Sequence, residues 1–398
     1  MIGFIQNSTE QYLSNLLAEA DIRTDGSRPW DIQIKNRTFF DRVSKEGSLG
    51  LGEAYMDGWW ECRALDQFFF KLLYHKINEK VRTSPIVIAN AVKATLFNRQ
   101  NRRKAYEVGE KHYDAGNDLF AQMLDSRMNY SCGYWKKAAD LEAAQQNKLE
   151  MICTKLQLEP GMRLLDIGCG WGGLVGYAAE KYGVSAVGLT ISKEQFEFAR
   201  QRYADLPVEF KIEDYRNIKG TFDAIVSVGM FEHVGYKNYN SFMRAVRRCL
   251  KEDGLFLLHT IASNESKRNC DSWFDKYIFP NGMLPSISQL GAALEQKFVM
   301  EDWHNIGADY DRTLLAWYGN FRKNWKNLRD RYSQRFYRMW CYYLLATAGG
   351  FRARNMQVWQ VVLSPNGIIG GYHNNRCSKC GGVRLEYHPA PVACMEKN

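Results

Sequence analysis

The stretch Leu164-Leu165-Asp166-Ile167-Gly168-Cys169-Gly170-Trp171-Gly172-Gly173 limits what this chain can fold into more than any other. Its apolar half reads as a buried strand. Its glycines let the chain turn sharply into a helix while the backbone stays open to a ligand. Helix N–H groups then point at whatever occupies the turn. Apolar, β-rich runs at 162–168, 185–190, 208–212, 222–229 and 254–260 are separated by amphipathic stretches near 172–183, 192–204 and 238–251. This alternation predicts an α/β fold, a doubly wound and mostly parallel sheet with helices on both faces. Runs at 297–303 and 357–364 complete seven strands, as an antiparallel edge. Ligands of such a sheet gather at the carboxyl ends of its strands.

Residues 1–104 have a different texture. Gly47-Ser48-Leu49-Gly50-Leu51-Gly52-Glu53-Ala54-Tyr55-Met56-Asp57-Gly58-Trp59-Trp60 is rich in glycine and aromatics, and 65–73 predicts a helix with a strongly apolar face. A small helical domain with core aromatics is the plain reading; a surface for a lipid chain or partner subunit is the sharper one. Ser84-Pro85 is a good helix start, and the residues after it place an apolar face beside a basic cluster at 99–104. Such a helix either lies in a membrane interface or bridges two domains. The domain reading is therefore 1–104 for lipid or membrane docking, 105–366 for catalysis and 367–398 for a flexible tail.

Composition narrows the partners. Lys and Arg number 53 against 44 Asp and Glu, a net charge of +9. That excess favours an anionic partner, lipid headgroups or nucleic acid, but no nucleic-acid reader motif is present. No long apolar run predicts a membrane-spanning helix, and Met1-Ile2-Gly3-Phe4 does not read as a secretory signal. The 10 cysteines are scattered singly except Cys377 and Cys380, which suits free thiols in a reducing, cytoplasmic setting. Cys377-Ser378-Lys379-Cys380 is half of a zinc ribbon, short of the four ligands a structural site needs, so no metal is expected.

The glycine turn alone is shared with dinucleotide binders, which want an acid about 20 residues on. Here the second strand ends Gly188-Leu189-Thr190-Ile191-Ser192, with no acid before Glu194. Asp166 before the glycines and Asp214-Tyr215 after the third strand resemble the usage of class I S-adenosylmethionine methyltransferases. Further segments fit one narrower family. They are Lys111-His112-Tyr113-Asp114, Asn129-Tyr130-Ser131-Cys132-Gly133-Tyr134-Trp135, Thr190-Ile191-Ser192-Lys193-Glu194-Gln195, Val228-Gly229-Met230-Phe231-Glu232-His233-Val234-Gly235, Leu258-His259-Thr260-Ile261, Tyr277-Ile278-Phe279-Pro280-Asn281-Gly282, Gly307-Ala308-Asp309-Tyr310 and Gly350-Phe351-Arg352-Ala353-Arg354. With these in order, the chain closely resembles bacterial cyclopropane-fatty-acyl-phospholipid synthases and, more distantly, mycolic acid cyclopropane synthases.

The resemblance implies a Rossmann-like catalytic domain with a smaller, mainly helical N-terminal domain. It implies methylene transfer from S-adenosylmethionine to the cis double bond of a phospholipid acyl chain. The cofactor is then expected against Tyr130 and Ser131, the loop Leu165-Asp166-Ile167-Gly168-Cys169-Gly170-Trp171-Gly172-Gly173, Thr190 through Gln195 (Ile191, Ser192, Lys193 and Glu194 included), and Asp214, Tyr215 and Arg216. A bicarbonate ion is expected against Cys132, Glu232, His259 and Tyr310, with the Ile261 backbone contributing. A homodimer, peripheral at the inner face of an anionic bilayer, is also implied.

The residue types suit that chemistry. An alkene is a poor nucleophile, so orientation against an activated methyl carries most of the gain. The carbocation formed needs a dry, electron-rich site, for which Trp135, Phe231, Tyr277, Phe279, Trp303 and Tyr318 are candidates. Ring closure then needs only a weak base. Glu232 either is protonated or accepts the O–H of bicarbonate, and the sequence leaves both open. Two competing readings are methylation of an unsaturated lipid without ring closure, and a non-catalytic basic membrane-surface protein.

Overall fold

The computed structural model describes residues 2–80 and 116–373, with side chains from residue 10 onward. Nine strands lie in these residues: β1 (Ile32–Ile34), β2 (Trp60–Cys62), β3 (Arg163–Ile167), β4 (Ser185–Thr190), β5 (Val208–Ile212), β6 (Phe222–Val228), β7 (Leu250–Ser263), β8 (Val299–Asn305) and β9 (Met356–Ser364). The short strands β1 and β2 pair antiparallel. The other seven form one sheet in the order β5-β4-β3-β6-β7-β9-β8. Strands β3 to β7 run parallel, and β9 is antiparallel to both β7 and β8. The sheet is thus seven-stranded and mostly parallel with an antiparallel edge, as the sequence predicts.

The strand order reverses between β3 and β6, and a crevice opens there because the connections leave toward opposite faces. Residues 164–167 are buried on both faces, which is why the strand reads as an unbroken apolar run around one acid. Helix Gly173–Tyr182 begins after Gly172 (φ +83°) and stops at Gly183 (φ +64°), two left-handed positions that a side chain would strain. Strand β7 starts four residues before its predicted run, since Leu250 already pairs with Phe222 ahead of a register shift.

Residues 10–80 do not form a separate core. Tyr55, Trp60, Phe68 and Phe69 share one apolar cluster with Trp273, Tyr342 and Tyr343. Tyr342 sits at the centre, 5.6 Å from the Tyr55 ring, 5.0 Å from Phe69 and 4.5 Å from Trp273. The glycine-rich aromatic stretch therefore packs inward onto the catalytic part. Polar ties flank this contact: Arg352 donates to both Asp311 oxygens at 2.9 Å and to Asp66 at 2.8 Å. Among the described residues no helix is long and apolar enough to cross a membrane. The basic segment after Ser84-Pro85, the Lys111-His112-Tyr113-Asp114 motif and the Cys377/Cys380 tail lie outside the described residues.

Helix Gln334–Arg352 packs against helix Leu65–Tyr74 at Gly349. A Cβ there would stand 2.6 Å from the Asp66 carbonyl oxygen and 2.7 Å from the Phe70 nitrogen, both backbone atoms that cannot swing away. Gly→Ala inside a helix ordinarily stabilises by about 0.5–1 kcal/mol. Here overpacking outweighs that gain, and Gly349→Ala is expected to destabilise by about 1–3 kcal/mol in thermal or urea unfolding. A variant as stable as the parent, or more so, would contradict the close docking of the two parts.

Candidate active site

The crevice between β3 and β6 holds a cavity lined by the residues that follow β3, β4, β5 and β6, together with 128–131. Gly168 (φ +90°) and Cys169 donate their N–H groups to the Leu189 carbonyl at 3.0 and 2.8 Å, which fixes the loop against the end of β4. A Cβ on Gly168 would strike the Met230 side chain at 2.6 Å, so both backbone conformation and space demand glycine. Thr190 donates its hydroxyl to Gln195 Oε1 at 2.8 Å and accepts the Ser192 N–H at 3.1 Å. A neutral Thr–Gln pair stands where dinucleotide sites carry an acid. Asp214 accepts the Arg216 backbone N–H at 2.9 Å and its guanidinium at 2.9 Å.

Of the expected cofactor residues, Tyr130, Ser131, Asp166, Ile167, Gly168, Cys169, Gly170, Trp171, Gly173, Thr190, Ile191, Gln195, Asp214, Tyr215 and Arg216 line this cavity. Five do not. Leu165 points into the core under the sheet. Gly172 packs against Phe210, whose ring would meet an added Cβ at 2.8 Å. Ser192 caps the next helix with its hydroxyl oxygen, and Lys193 and Glu194 are exposed on that helix. A contiguous motif cannot place all its side chains on one side of a helix start.

Of the residues expected to take part in proton transfer, three are next to a residue that lines this cavity. Cys132 follows Ser131; Glu232 sits between Met230 and His233; His259 is the β7 partner of Val228. Backbone contacts draw them together. Cys132 Sγ faces the Ile306 carbonyl at 3.8 Å, the Ile306 N–H donates to Val358 at 2.9 Å, and Val358 pairs with Ile261 across β7 and β9. The Ile261 N–H donates to Glu232 Oε1 at 2.5 Å. Tyr310 lies in the first turn of helix Ala308–Asn324, its ring packed 4.7 Å from Phe351 and 5.7 Å from Trp317. One expectation changes here: the Ile261 N–H is engaged by Glu232 and is not an open donor for an anion.

Burial sets the protonation of the group. Desolvation pushes Glu232 up to about 7 against the opposing pull of the Ile261 N–H. Its Oε2 is buried and makes no full hydrogen bond among the described residues; the Thr260 hydroxyl donates to the Ile261 carbonyl at 3.1 Å and is still near enough to favour the ionised form of Glu232. Desolvation, reinforced by the charges of Lys148 and Lys155, drives His259 down to about 3, so it is neutral. Gln360 contacts His259 Nδ1 at 3.2 Å through its amide nitrogen, which leaves the ring proton on Nε2. Burial also holds the Cys132 thiol well above its usual range, so it is no thiolate nucleophile.

Sequence reasoning missed Lys148, Asn129 and Gly229, all of which line the cavity. Lys148 carried a signal: it falls on the apolar stripe of its helix, with Ala144, Leu149 and Ile152 buried around it. A lysine at a core position needs a reason. Of the six candidate aromatics, Phe279 packs 5.7 Å from Tyr343, whose hydroxyl meets that of Tyr130 at 2.8 Å. Phe231 stacks on Tyr239 in the core, and Trp303 packs on Trp359 at the sheet edge.

A parallel sheet with this strand order, this glycine turn and a cavity at the reversal define a class I S-adenosylmethionine-dependent methyltransferase. The family model for mycolic acid cyclopropane synthetase matches residues 100–361. The chain belongs to that family. It is 56% identical over 358 residues to the cyclopropane-fatty-acyl-phospholipid synthase of Escherichia coli strain K12, covering 90% of this chain and 94% of the relative. A probable fatty acid methyltransferase of Pseudomonas putida is 33% identical, with 69% and 73% of the two chains covered. The crystal structure of a mycolic acid cyclopropane synthase complexed with SAH and CTAB superposes with a TM-score of 0.61 at 31% identity, over 65% of this chain and 97% of that one.

Glu232 makes stability depend on pH in a defined sense. Its folded value of about 7 lies above its ordinary 4.5, so between those values the native state binds more protons than the unfolded one. Stability from this group is complete below the lower value and is lost as pH rises through the upper. Glu232→Gln keeps an acceptor for Ile261 and never ionises. Its melting temperature relative to the parent is expected to be higher at pH 8 than at pH 5, by several degrees for about 2 kcal/mol of relieved burial. A difference independent of pH would refute the raised value.

Proposed function

We propose that this chain transfers a methylene group from S-adenosylmethionine to the cis double bond of unsaturated phospholipid acyl chains, forming a cyclopropane ring. One observation carries the reading: Cys132, Glu232, His259 and Tyr310 are buried, the first three lie next to residues that line the cofactor cavity, and burial favours the neutral form of each of those three. The cofactor supplies a methyl group already activated by its sulfonium. The chain's task is to orient the alkene, exclude water and take one proton.

A site of neutral hydrogen-bond donors can hold a small oxyanion without a permanent charge of its own. The fit to bicarbonate rests on Glu232. With Oε1 accepting from Ile261, the proton of the neutral acid belongs on the unpartnered Oε2, where it donates to an anion. The His259 Nε2–H is a second donor, and the Tyr310 hydroxyl a third. These residues would hold bicarbonate as the base that receives the proton released at ring closure. The cation is left to aromatic faces such as Phe279 and Tyr343. The net charge of +9 supports work at an anionic membrane surface.

The likeness to a fatty acid methyltransferase favours a second reading, methylation without ring closure. Labelled cofactor and unsaturated phospholipid vesicles, incubated with and without bicarbonate, separate the two. Both products gain one CH2; the proposed product loses its double bond and has no methyl branch, and bicarbonate raises its rate. A branched or still unsaturated product would refute ring closure. Glu232→Ala is expected to lower kcat by about 100-fold or more. Its affinity for S-adenosylhomocysteine should stay within about threefold of the parent, less than the ~1.4 kcal/mol of a tenfold change. Full turnover would remove Glu232 from the mechanism.

A further inference from the structure

We propose that Lys148 is the cationic anchor for the carboxylate at the amino-acid end of the cofactor. This rests on the reading that S-adenosylmethionine occupies the cavity between β3 and β6. Lys148 reaches the cavity from helix Leu141–Lys155, whose start is fixed by Asp140 accepting the Ala143 N–H at 2.9 Å. Its side chain is only 2% exposed. The ammonium donates to Asn129 Oδ1 at 3.0 Å and to Ser131 Oγ at 3.1 Å, both uncharged acceptors. An ammonium has three protons to donate, so one is left. Among the described residues no carboxylate lies within ion-pair distance of it, though Asp125 and Asp166 are near enough to act on it electrostatically.

Burying a cation without a direct counter-ion is costly, and the cost is relieved if the counter-ion arrives with the ligand. The surroundings hold the amine in position. Asn129 presents Oδ1 because its amide nitrogen is committed to Asp125 Oδ2 at 2.7 Å. Gln145, one turn earlier on the same helix, donates to the Ser131 carbonyl at 2.8 Å and fixes the backbone that carries the hydroxyl. Ser131 Oγ accepts from Lys148, so its own proton points elsewhere, and both side chains line the cavity. Two adjacent donors, an N–H and an O–H, match the two oxygens of a carboxylate. Asp166, also in the wall, has a buried oxygen with no partner and would repel that carboxylate were Lys148 not beside it.

The test is calorimetric binding of S-adenosylhomocysteine and of the analogue in which its carboxylate is replaced by hydrogen. The parent protein is expected to prefer the carboxylate ligand by at least about tenfold, the scale of a hydrogen bond to a charged group. In Lys148→Met that preference should collapse to near unity through loss of S-adenosylhomocysteine affinity, with the analogue bound as before. Lys148→Gln keeps a donor for Asn129 or Ser131 without the charge and is read the same way if the Met variant does not fold. Equal weakening of both ligands in either variant would make Lys148 merely structural and overturn the proposal. So would a parent that does not distinguish the ligands, a result needing no variant. A parent that binds neither ligand refutes the cofactor cavity itself, a failure distinct from that of Lys148.

Discussion

Removal of water from the carboxyl end of the sheet governs the chemistry of this protein. Asp166, Glu232, Lys148 and His259 are all buried there, and for each of them desolvation is the largest influence on its protonation. It drives the acids up to about 7 and the bases down, to about 8 for Lys148 and about 3 for His259, so all four move toward neutrality. Hydrogen bonds or neighbouring charges temper that drift for Glu232, Asp166 and Lys148 without reversing it, whereas for His259 the charges of Lys148 and Lys155 add to it. The same groups placed in water would be ordinary charges.

Dryness has to be built, and residues 10–80 help build it. Glu53 accepts from Tyr277 at 2.7 Å and pairs with Arg42 and Lys276. Helix Ser272–Tyr277 is thereby tied to the N-terminal part, and Trp273 fills the space that Gly52 leaves open. A few residues on, the Met283 N–H donates to the Glu232 carbonyl at 2.8 Å. The backbone holding the buried acid is thus braced through a continuous set of contacts to a part of the chain that carries no reacting group. The shared core around Tyr342 makes the two parts one mechanical body, and the aromatic N-terminal residues serve the site by packing.

Much of the fold was legible in the sequence because period and order are local signals. Five β-rich runs with helical stretches between them leave few topologies once right-handed crossovers are required. The site was legible to the extent that motifs sit at strand ends: β3, β4 and β6 deliver Asp166, Thr190 and Met230 to one crevice. What escaped depends on tertiary placement. Nothing local tells that the Ile261 N–H turns to Glu232, or that Leu165 and Gly172 face away from the ligand side. Lys148 escaped for a different reason. Charged residues on a helix are normally read as solvated, and only its place on the apolar stripe marked it as buried.

Charge arrangement separates an active site from a conserved shell of the same fold. A basic surface protein would keep its positive charges outside and would have no use for a lysine and an acid sealed behind a glycine turn. Here Lys148 and Asp166 face the cavity at one end, Asp214 is matched by Arg216 at another, and the Thr190–Gln195 pair is neutral between strands. Cys132, Glu232, His259 and Tyr310 are buried, and burial favours the neutral forms of the first three. A ligand with separated charges suits the first region, and a small anion beside an apolar chain suits the second. Each region by itself has several explanations. Their adjacency, with Ser131 in one and Cys132 in the other, suits the proposed methyl transfer followed by proton removal, since both events would concern the same carbon atom.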